Sequence, residues 1–482
     1  MYNKNHTMMQ FFEWYLPSDM SLWRKIKEEA EKISDLGIDY IWMPPAYKAA
    51  GGINDVGYGV YDLYDLGEFD QKGTIPTKYG TKEEYIEAIR TLKENKIKAI
   101  ADIVLNHKLG ADETEEVIAI QEQNDDRNVS ISEAKKIKAW TRYIFPNRNN
   151  AYSDFKWDWT HFHGVDWDEE TNTASIYKFY GKKWDQDVDK ENGNFDYLMG
   201  ADIDLNNKDV VNELKKWSQW YYDTTGVDGF RLDAVKHIRA DFFPEWLENI
   251  RQYSQKDLFA VGEYWSTNNQ VIGEYINKTE GNMKLFDVAL HYNFFRASYN
   301  NGEFRLKDIF EGTLVKEKPE YAVTFVDNHD TQIGQALESW IPDWFKPLAY
   351  SLILLRKEGI PCVFYGDYYG INHDDIISKK DILDKLLFLR KEFAYGEQVD
   401  YFYDNDKIGF VRKGDEIHIG SGMAVVMSDK IGGEMIMDMG EKFQNTEFYD
   451  YLGNVKNSIW LDENGRGAFC CGNGSVSVWV KK

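Results

Sequence analysis

Short apolar runs alternate with amphipathic stretches over most of the chain. Helical periodicity is clear between the runs, for example at 21–36 and in TKEEYIEAIRTLKENK (81–96). The runs that predict strands are MMQFFEW (8–14), IDYIWMPP (38–45), KAIADIVLNH (98–107), VDGFRLDAV (227–235), LFAVGEYW (258–265), FDVAL (286–290), YAVTFVDNHD (321–330) and GIPCVFYGD (359–367). Eight strands separated by helices predict an α/β fold, a parallel sheet closed into a (β/α)₈ TIM barrel. A doubly wound open sheet is the alternative, but no glycine-rich fingerprint follows the first strand to favour it.

The spacing along the chain predicts two further domains. His107 and Asp233 lie 126 residues apart, far more than one crossover helix requires. We therefore expect a β-rich domain, residues 108–205, inserted after strand 3. Beyond residue 396, apolar and polar residues alternate between turns, which predicts a C-terminal antiparallel β-sandwich over 396–482. The barrel would then comprise 1–107 and 206–395.

Composition limits the partners. The chain has 482 residues and a net charge of −24, and neither nucleic acid nor an anionic membrane suits so acidic a protein. No apolar run reaches the length of a membrane span. The three cysteines form no disulfide framework, and no signal peptide is visible, so we expect a cytoplasmic monomer. A secreted protein whose leader has been removed would look similar.

The segment GFRLDAVKH (229–237) places two charges on one face of a predicted strand. Arg231 and Asp233 point the same way because side chains alternate along a strand. Burying such a pair costs several kcal/mol per ion unless it is compensated. A structural ion pair is one explanation. The other is that Asp233 performs chemistry at the end of the strand.

Other acids recur at the ends of predicted strands. Glu263 follows Asp233 by 30 residues and Asp330 follows Glu263 by 67, which places the three acids after strands 4, 5 and 7. Active sites of such barrels lie at the carboxyl ends of the strands. Glycoside hydrolysis requires one carboxylate as nucleophile and a second, protonated carboxyl group as acid, about 5–5.5 Å apart in retaining enzymes. The pattern favours a hydrolase of this kind.

The chain resembles the α-amylases of glycoside hydrolase family 13 over essentially its whole length. The segments DIVLNH, GFRLDAVKH, GEYW and FVDNHD match the family's four signature segments in order, and LMGADID (198–204) resembles a fifth. The resemblance implies that Asp233 is the nucleophile, Glu263 the general acid/base and Asp330 the third carboxylate. The residues that it assigns to substrate binding are Tyr58, His107, Arg231, Lys236, His237, Trp265 and His329. For Lys236, a solvated charge at a helix start is the alternative.

The resemblance also implies a calcium ion where the inserted domain meets the barrel. Calcium prefers six to eight oxygen ligands. The residues that match its ligands are Asn106, Asp196, Asp202 and, through its backbone carbonyl, His237. Secreted relatives add sodium and a second calcium. Here Asp185 and Asp204 fit that pattern, whereas His163 and Asn206 stand in place of aspartates.

We therefore expect one calcium ion and doubt additional Ca²⁺ or Na⁺ sites. A further site could use Asp406 and Asp429, between the barrel and the C-terminal domain.

The function that the resemblance implies is endo-acting, retaining hydrolysis of α-1,4-glucosidic bonds in starch, glycogen or maltodextrins. An alternative is a transglycosylating or exo-acting, maltooligosaccharide-forming enzyme on the same site. A non-catalytic barrel would be expected to lack part of the carboxylate trio, which is complete here. A transition-metal hydrolase would need several converging histidines, and nine are spread over the chain. The preferred glucan and the product length are left open.

Overall fold

The computed structural model describes residues 5–299 and 304–482, so residues 1–4 and 300–303 of the predicted barrel segments lie outside the described residues. Eight parallel strands form a closed barrel, in which the last strand pairs with the first through Met8 and Cys362. The barrel strands, numbered β1 to β8 in chain order, are Met8–Gln10, Tyr40–Met43, Lys98–Ile103, Gly229–Leu232, Phe259–Gly262, Lys284–Phe286, Ala322–Phe325 and Ile360–Phe364. The predicted TIM barrel is confirmed.

Helices cover the outside of the barrel and bury their apolar faces against the strands. One of them, Lys82–Glu94, begins with a capping box in which Thr81 and Glu84 exchange hydrogen bonds, which satisfies backbone groups that the helix leaves free. The α-helices are Leu22–Asp35, Lys82–Glu94, Lys208–Thr225, Phe242–Ser254, Asn269–Lys278, Val288–Tyr299, Leu314–Glu317, Lys346–Leu355, Tyr365–Tyr369 and Lys380–Glu392. Among the helices of the described residues, none is both long and apolar enough to cross a membrane.

The sixth barrel strand begins two residues earlier in the sequence than predicted and is shorter. FDVAL (286–290) was expected to be extended, but β6 ends at Phe286 and Val288 begins a helix. The carboxylate of Asp287 accepts a hydrogen bond from the backbone N–H of Leu290 at 3.0 Å, which starts the helix one residue after the strand. A short apolar run is buried either way, so its periodicity does not separate the two structures.

The insertion after β3 contains a six-stranded sheet in which all neighbouring strands are antiparallel, as the sequence predicted in outline. Its first and last strands, His107–Lys108 and Ala201–Ile203, pair with each other beside the barrel mouth. The strands of this sheet are His107–Lys108, Glu113–Glu122, Lys135–Arg142, Phe162–Asp168, Thr173–Phe179 and Ala201–Ile203. A short hairpin, Lys48–Ala49 with Val60–Asp62, lies in the loop after β2.

The C-terminal region consists of antiparallel sheet. Its own core contains Phe448, Phe469 and Trp479, packed between a six-stranded and a two-stranded sheet. The larger sheet contains Gln398–Tyr401, Lys407–Arg412, Met423–Ser428, Glu447–Asp450, Ile459–Trp460 and Ser475–Lys481, and the smaller pairs Gly433–Asp438 with Arg466–Cys471. The predicted β-rich C-terminal domain is confirmed, while the predicted boundaries between the three domains remain a proposal.

Candidate active site

Arg231 on β4 organises the carboxyl ends of three adjacent strands. Its guanidinium is fully buried and lies 2.9 Å from Asp102 on β3, 2.5 Å from Asp233 and 3.1 Å from Glu263. Arginine holds its charge at any ordinary pH and offers several donors in a rigid plane. One cation therefore compensates three carboxylates and fixes where they point.

Asp233 lies just beyond the end of β4, and the chain turns sharply after it. Ala234 has φ +51°, in the left-handed region, and a 3₁₀ turn over Val235–His237 follows. The predicted strand, which ran through Val235, was therefore too long. The backbone N–H of Asp233 donates to the carbonyl of Ile103 on β3 at 2.9 Å, so the residue keeps strand-like bonding while its side chain faces the cavity.

Glu263 occupies the equivalent position directly after β5. Its Oε2 accepts a hydrogen bond from the backbone N–H of Ala234 at 3.0 Å, besides the contact with Arg231. Burial raises the pKa of this carboxyl group to about 7, with the charge of Asp233 adding to the shift and Arg231 opposing it. A carboxyl group that keeps its proton near neutral pH is suited to donate it to a leaving oxygen.

Asp102 is a member of this cluster that the sequence reasoning missed. Its Oδ2 accepts hydrogen bonds from the indole of Trp42 at 2.9 Å and from the hydroxyl of Tyr58 at 2.8 Å. Burial raises its pKa to about 6, although Arg231 opposes the shift. The signal was present, because Asp102 opens DIVLNH and a charged residue inside a buried strand requires a partner.

Asp330 and His329 follow β7 and complete the cavity wall. His329 Nε2 lies 3.3 Å from Asp330 Oδ2, and the imidazole stacks on Tyr58 with a centroid distance of 5.0 Å. Burial and the charge of Glu263 raise the pKa of Asp330 well above its usual range. Trp14, also missed from sequence, stacks parallel to Tyr58 at 6.1 Å. Flat aromatic faces of this kind suit a sugar ring.

The predicted residues meet in one cavity of about 860 Å³. His107 forms part of its wall, and its Nε2 lies 3.0 Å from the backbone oxygen of Tyr58. Of the ten residues predicted for catalysis or substrate binding, nine line the cavity, while Arg231 lies behind the carboxylates that it holds. The nine are Tyr58, His107, Asp233, Lys236, His237, Glu263, Trp265, His329 and Asp330.

Lys236 joins the barrel to the inserted domain at the cavity rim. Its side chain is only 10% exposed, which excludes the solvated helix-start charge considered above. The ammonium group lies 2.8 Å from Glu191 Oε2 and above the ring of Phe195. His237 Nδ1 lies 2.7 Å from the backbone oxygen of Phe195. Glu191 and Phe195 come from the insertion, and no motif or periodicity around them indicates a role at the cavity.

A second cluster of acids surrounds His163 where the inserted sheet meets the barrel. His163 Nδ1 lies 2.9 Å from Asp202 and 3.2 Å from Asp196, and Nε2 lies 3.1 Å from Asp204. Although burial opposes the charged form, the hydrogen bond to Asp202 and the close contact with the Asp204 carboxylate raise the pKa of His163 well above its usual value. Burial raises the pKa of Asp202 to about 6.

This second cluster could hold a metal ion. Oxygens of Asp196 and Asp202 and a nitrogen of His163 all lie within 4.8 Å of one another. Asn106 adjoins the cluster, since its backbone carbonyl accepts a hydrogen bond from Ile203 N, one residue beyond Asp202. Carboxylate and amide oxygens are the donors that calcium prefers. Of the residues predicted as ligands, Asp196 and Asp202 belong to this cluster and Asn106 adjoins it, while a role for the His237 carbonyl stays a prediction.

Asp429 is a further buried acid away from both clusters. Within the described residues, neither of its carboxylate oxygens has a hydrogen-bond partner, and burial raises its pKa to about 6. Asp406 contributes to that shift and itself pairs with Lys430 at 3.1 Å. A cation beside these two acids stays a prediction.

Comparison with known proteins gives a consistent result. The family profile described as "Alpha amylase, catalytic domain" matches residues 19–398, and "Alpha-amylase C-terminal" matches residues 434–480. A solved α-amylase from Anoxybacillus has the same fold, with a TM-score of 0.65 at 17% identity over 99% of this chain and 98% of that one.

Three relatives match this chain almost end to end. An α-amylase from Geobacillus stearothermophilus is 52% identical over 99% of this chain and 87% of its own length. A glucan 1,4-alpha-maltohexaosidase from Bacillus sp. strain 707 is 48% identical over 99% and 93%. A cytoplasmic α-amylase from Escherichia coli K12 is 46% identical over 99% of both. With the catalytic profile covering most of the chain and half of its residues shared with a named relative, this protein belongs to the α-amylase family.

Proposed function

We propose that the chain hydrolyses α-1,4-glucosidic bonds within starch, glycogen or maltodextrins, with retention of configuration. The main support for this proposal is the arrangement of Asp233 and Glu263. Both contact the guanidinium of Arg231, lie at the ends of adjacent strands and face the same cavity. Burial raises the pKa of Glu263 to about 7, so this carboxyl group can hold the proton that a leaving oxygen requires.

In the proposed reaction Asp233 attacks the anomeric carbon while Glu263 gives its proton to the leaving oxygen. The bond from sugar to leaving group breaks as the bond to Asp233 forms. Glu263, now ionised, then takes a proton from water, and the water oxygen displaces Asp233 from the anomeric carbon. Arg231 keeps Asp233 oriented, and its contact with Glu263 remains when that group loses its proton.

The remaining cavity residues would bind the sugar. Tyr58 and Trp14 offer parallel aromatic faces, and His107 and His329 lie beside Tyr58. Asp330 would bind ring hydroxyls of the attacked glucose and favour its distortion. Lys236, His237 and Trp265 would flank the leaving-group side, where the inserted domain closes the cavity.

The stereochemistry of the first product tests this proposal. Proton NMR during early hydrolysis of amylose should detect the α-anomer before mutarotation, because double displacement inverts the centre twice. Initial release of the β-anomer would exclude the proposed nucleophile. A parallel incubation with a glucan containing only α-1,6 bonds should release no products.

An exo-acting or transglycosylating activity on the same site is the second candidate. The observation that favours it is the 48% identical relative whose name describes a maltohexaosidase. Resolving products by size over time separates the two. A broad ladder of oligosaccharides at low conversion supports endo action, whereas one dominant length from the first time point supports the alternative.

We infer one calcium ion, held by Asn106, Asp196, Asp202 and the backbone carbonyl of His237. Support comes from the two buried aspartates, whose pKa values are raised by burial and, beyond that, by the incompletely compensated negative charge of neighbouring carboxylates. A bound calcium ion would supply that compensation and tie the inserted domain to the barrel. His163 occupies the space between Asp196, Asp202 and Asp204 with nitrogen atoms, which calcium seldom accepts, and this argues against the additional cations.

We further propose a cytoplasmic, monomeric enzyme that acts on glucan and binds neither membrane nor nucleic acid. The net charge of −24 argues against nucleic acid and anionic membrane as partners, while the cytoplasmic relative from E. coli and three free cysteines support the location. Cell fractionation and light scattering of the purified protein test the location and the oligomeric state.

A further inference from the structure

A fully buried lysine lies behind the loop that carries His329 and Asp330. The ammonium group of Lys346, at the start of helix Lys346–Leu355, lies 2.8 Å from Asp327 and also contacts Asp367. All three side chains are 0% exposed, and the ammonium lies over the ring of Trp340. The cluster is separate from the carboxylates around Arg231.

Asp327 belongs to the catalytic loop and organises it. Its Oδ1 accepts a hydrogen bond from the hydroxyl of Thr331 at 2.9 Å, and that hydroxyl accepts one from the backbone N–H of Asn328 at 3.0 Å. The side-chain oxygen of Asn328 then accepts the backbone N–H of Asp330 at 2.9 Å. A continuous chain of hydrogen bonds thus runs from Lys346 to the backbone of Asp330.

The side chain of Asp330 has little support of its own. Among the described residues its only polar contact is His329 Nε2, at 3.3 Å. Its position is therefore set by the backbone of the loop rather than by bonds to its carboxylate. That backbone is held from behind by the Lys346 cluster.

Burying this cluster costs desolvation free energy that an apolar core would not. Two carboxylates and one ammonium lose their hydration there, and apolar side chains of similar volume often serve stability equally well. Burial raises the pKa of Asp327 to about 7 even with Lys346 beside it. An ionic cluster fixes the direction of each hydrogen bond, which apolar side chains cannot do.

We propose that Lys346 is a positioning residue for the reaction, which acts through Asp327 and the loop to place Asp330 against the substrate. This inference rests on the proposed role of Asp330. Lys346 does not touch the cavity, so its contribution should appear in turnover and not in the binding of the rest of the glucan. A displacement of about 1 Å at a reacting group costs on the order of a hundredfold in rate.

A double-mutant cycle tests this. Lys346→Met should lower kcat on maltoheptaose by about 10- to 100-fold, with KM changed by less than about threefold. In an Asp330→Asn background, Lys346→Met should lower kcat by less than about twofold further, because the group that it positions is already disabled. Equal losses in the two backgrounds would overturn the proposal, as would parental kcat in the single variant.

Arg390→Met is the matched control for loss of a buried cation. Arg390 is 3% exposed and donates to Thr7 Oγ1 and the backbone oxygen of His6, at the opposite end of the barrel. It should lower the melting temperature while kcat well below that temperature stays within about twofold. A comparable loss of kcat in Arg390→Met would mean that any buried cation matters, and Lys346 would lose its special role.

Thr331→Val keeps the test decisive if Lys346→Met does not fold. It removes only the hydroxyl link between Asp327 and Asn328 and leaves the ion pairs intact. The same selective loss of kcat is expected, and parental turnover would overturn the inference. If Asp330→Asn alone retains full activity, the proposed role of Asp330 fails instead, which the cycle reports separately.

Discussion

Two regions of this protein each bury three carboxylates and compensate their negative charge with a different cation. In the barrel mouth, Arg231 lies among Asp102, Asp233 and Glu263. At the junction with the inserted domain, His163 lies among Asp196, Asp202 and Asp204. Each cluster has three carboxylates and one nitrogen cation, and each is almost completely buried.

The difference lies in what each cation leaves free. Arg231 binds its acids from behind, so that Asp233 and Glu263 still face a cavity of about 860 Å³. His163 is 1% exposed and lies among Asp196, Asp202 and Asp204, where it would exclude the additional cations but not the single calcium ion proposed above. The first arrangement leaves two carboxylates facing a cavity and available for chemistry, whereas in the second the carboxylates face the imidazole and the proposed calcium ion. An acidic cluster therefore becomes reactive or structural according to where its cation lies.

The largest expected effect comes from Asp233→Asn, which keeps the shape of the barrel-mouth cluster but removes the attacking charge. Turnover should fall by several orders of magnitude. Each tenfold loss in rate corresponds to about 1.36 kcal/mol of activation free energy, and covalent catalysis lowers the barrier by many kcal/mol. The melting temperature should stay the same or rise, because a buried charge has been removed. Steady-state kinetics and calorimetry measure both. Substantial remaining turnover would make Arg231 and Asp233 a structural pair like the one at His163.

Arg231→Ala should damage both activity and stability. It leaves the barrel-mouth carboxylates without compensation, raises the pKa of Glu263 and Asp102, and should lower the free energy of unfolding by about 3–5 kcal/mol. Urea titration measures this loss beside that of Asp233→Asn. Equal stability losses in the two variants would contradict the view that only one of the pair is catalytic.

The pH dependence should show the raised pKa of Glu263. As the acid it must be protonated, so kcat/KM should fall on the alkaline side of about pH 7. The folded state also binds this proton more tightly than the unfolded chain, so the group's contribution to stability is lost as the pH rises from about 4.5 to about 7. Because Glu263 is buried, adding 0.5 M salt should change the pH at which kcat/KM falls only slightly. A fall whose pH shifts strongly with salt would indicate an exposed group instead.

The smallest effect is expected at the junction. His163→Asp replaces nitrogen with oxygen ligands, so metal analysis in calcium buffer should find more than the single ion expected in the parent. Its melting temperature should depend more steeply on calcium than that of the parent. Asp202→Ala is the control, and it should lower both metal content and stability. Unchanged metal content in His163→Asp would mean that the imidazole does not limit the site.

The sequence predicted the barrel and its carboxylate trio because both follow local rules. Alternation along a strand placed Arg231 and Asp233 together, and the repeat of strand and helix placed Glu263 and Asp330 at the same end. Asp102 was missed although it lies in a recognised segment, because its role depends on partners far along the chain, Trp42 and Tyr58. Glu191 and Phe195 were out of reach for the same reason, since an irregular insertion carries no period from which to infer contacts.

The pairing of the first strand with the last has a consequence for how the chain is made. β1 lies between β2 and β8, and β8 ends at Phe364. While the ribosome has delivered only the earlier strands, two edges of the sheet have unpaired backbone groups, which can pair with other chains. Contacts between residues more than 350 positions apart also form slowly. We therefore expect chaperones to matter most before β8 is available, while roughly the first three quarters of the chain are being synthesised.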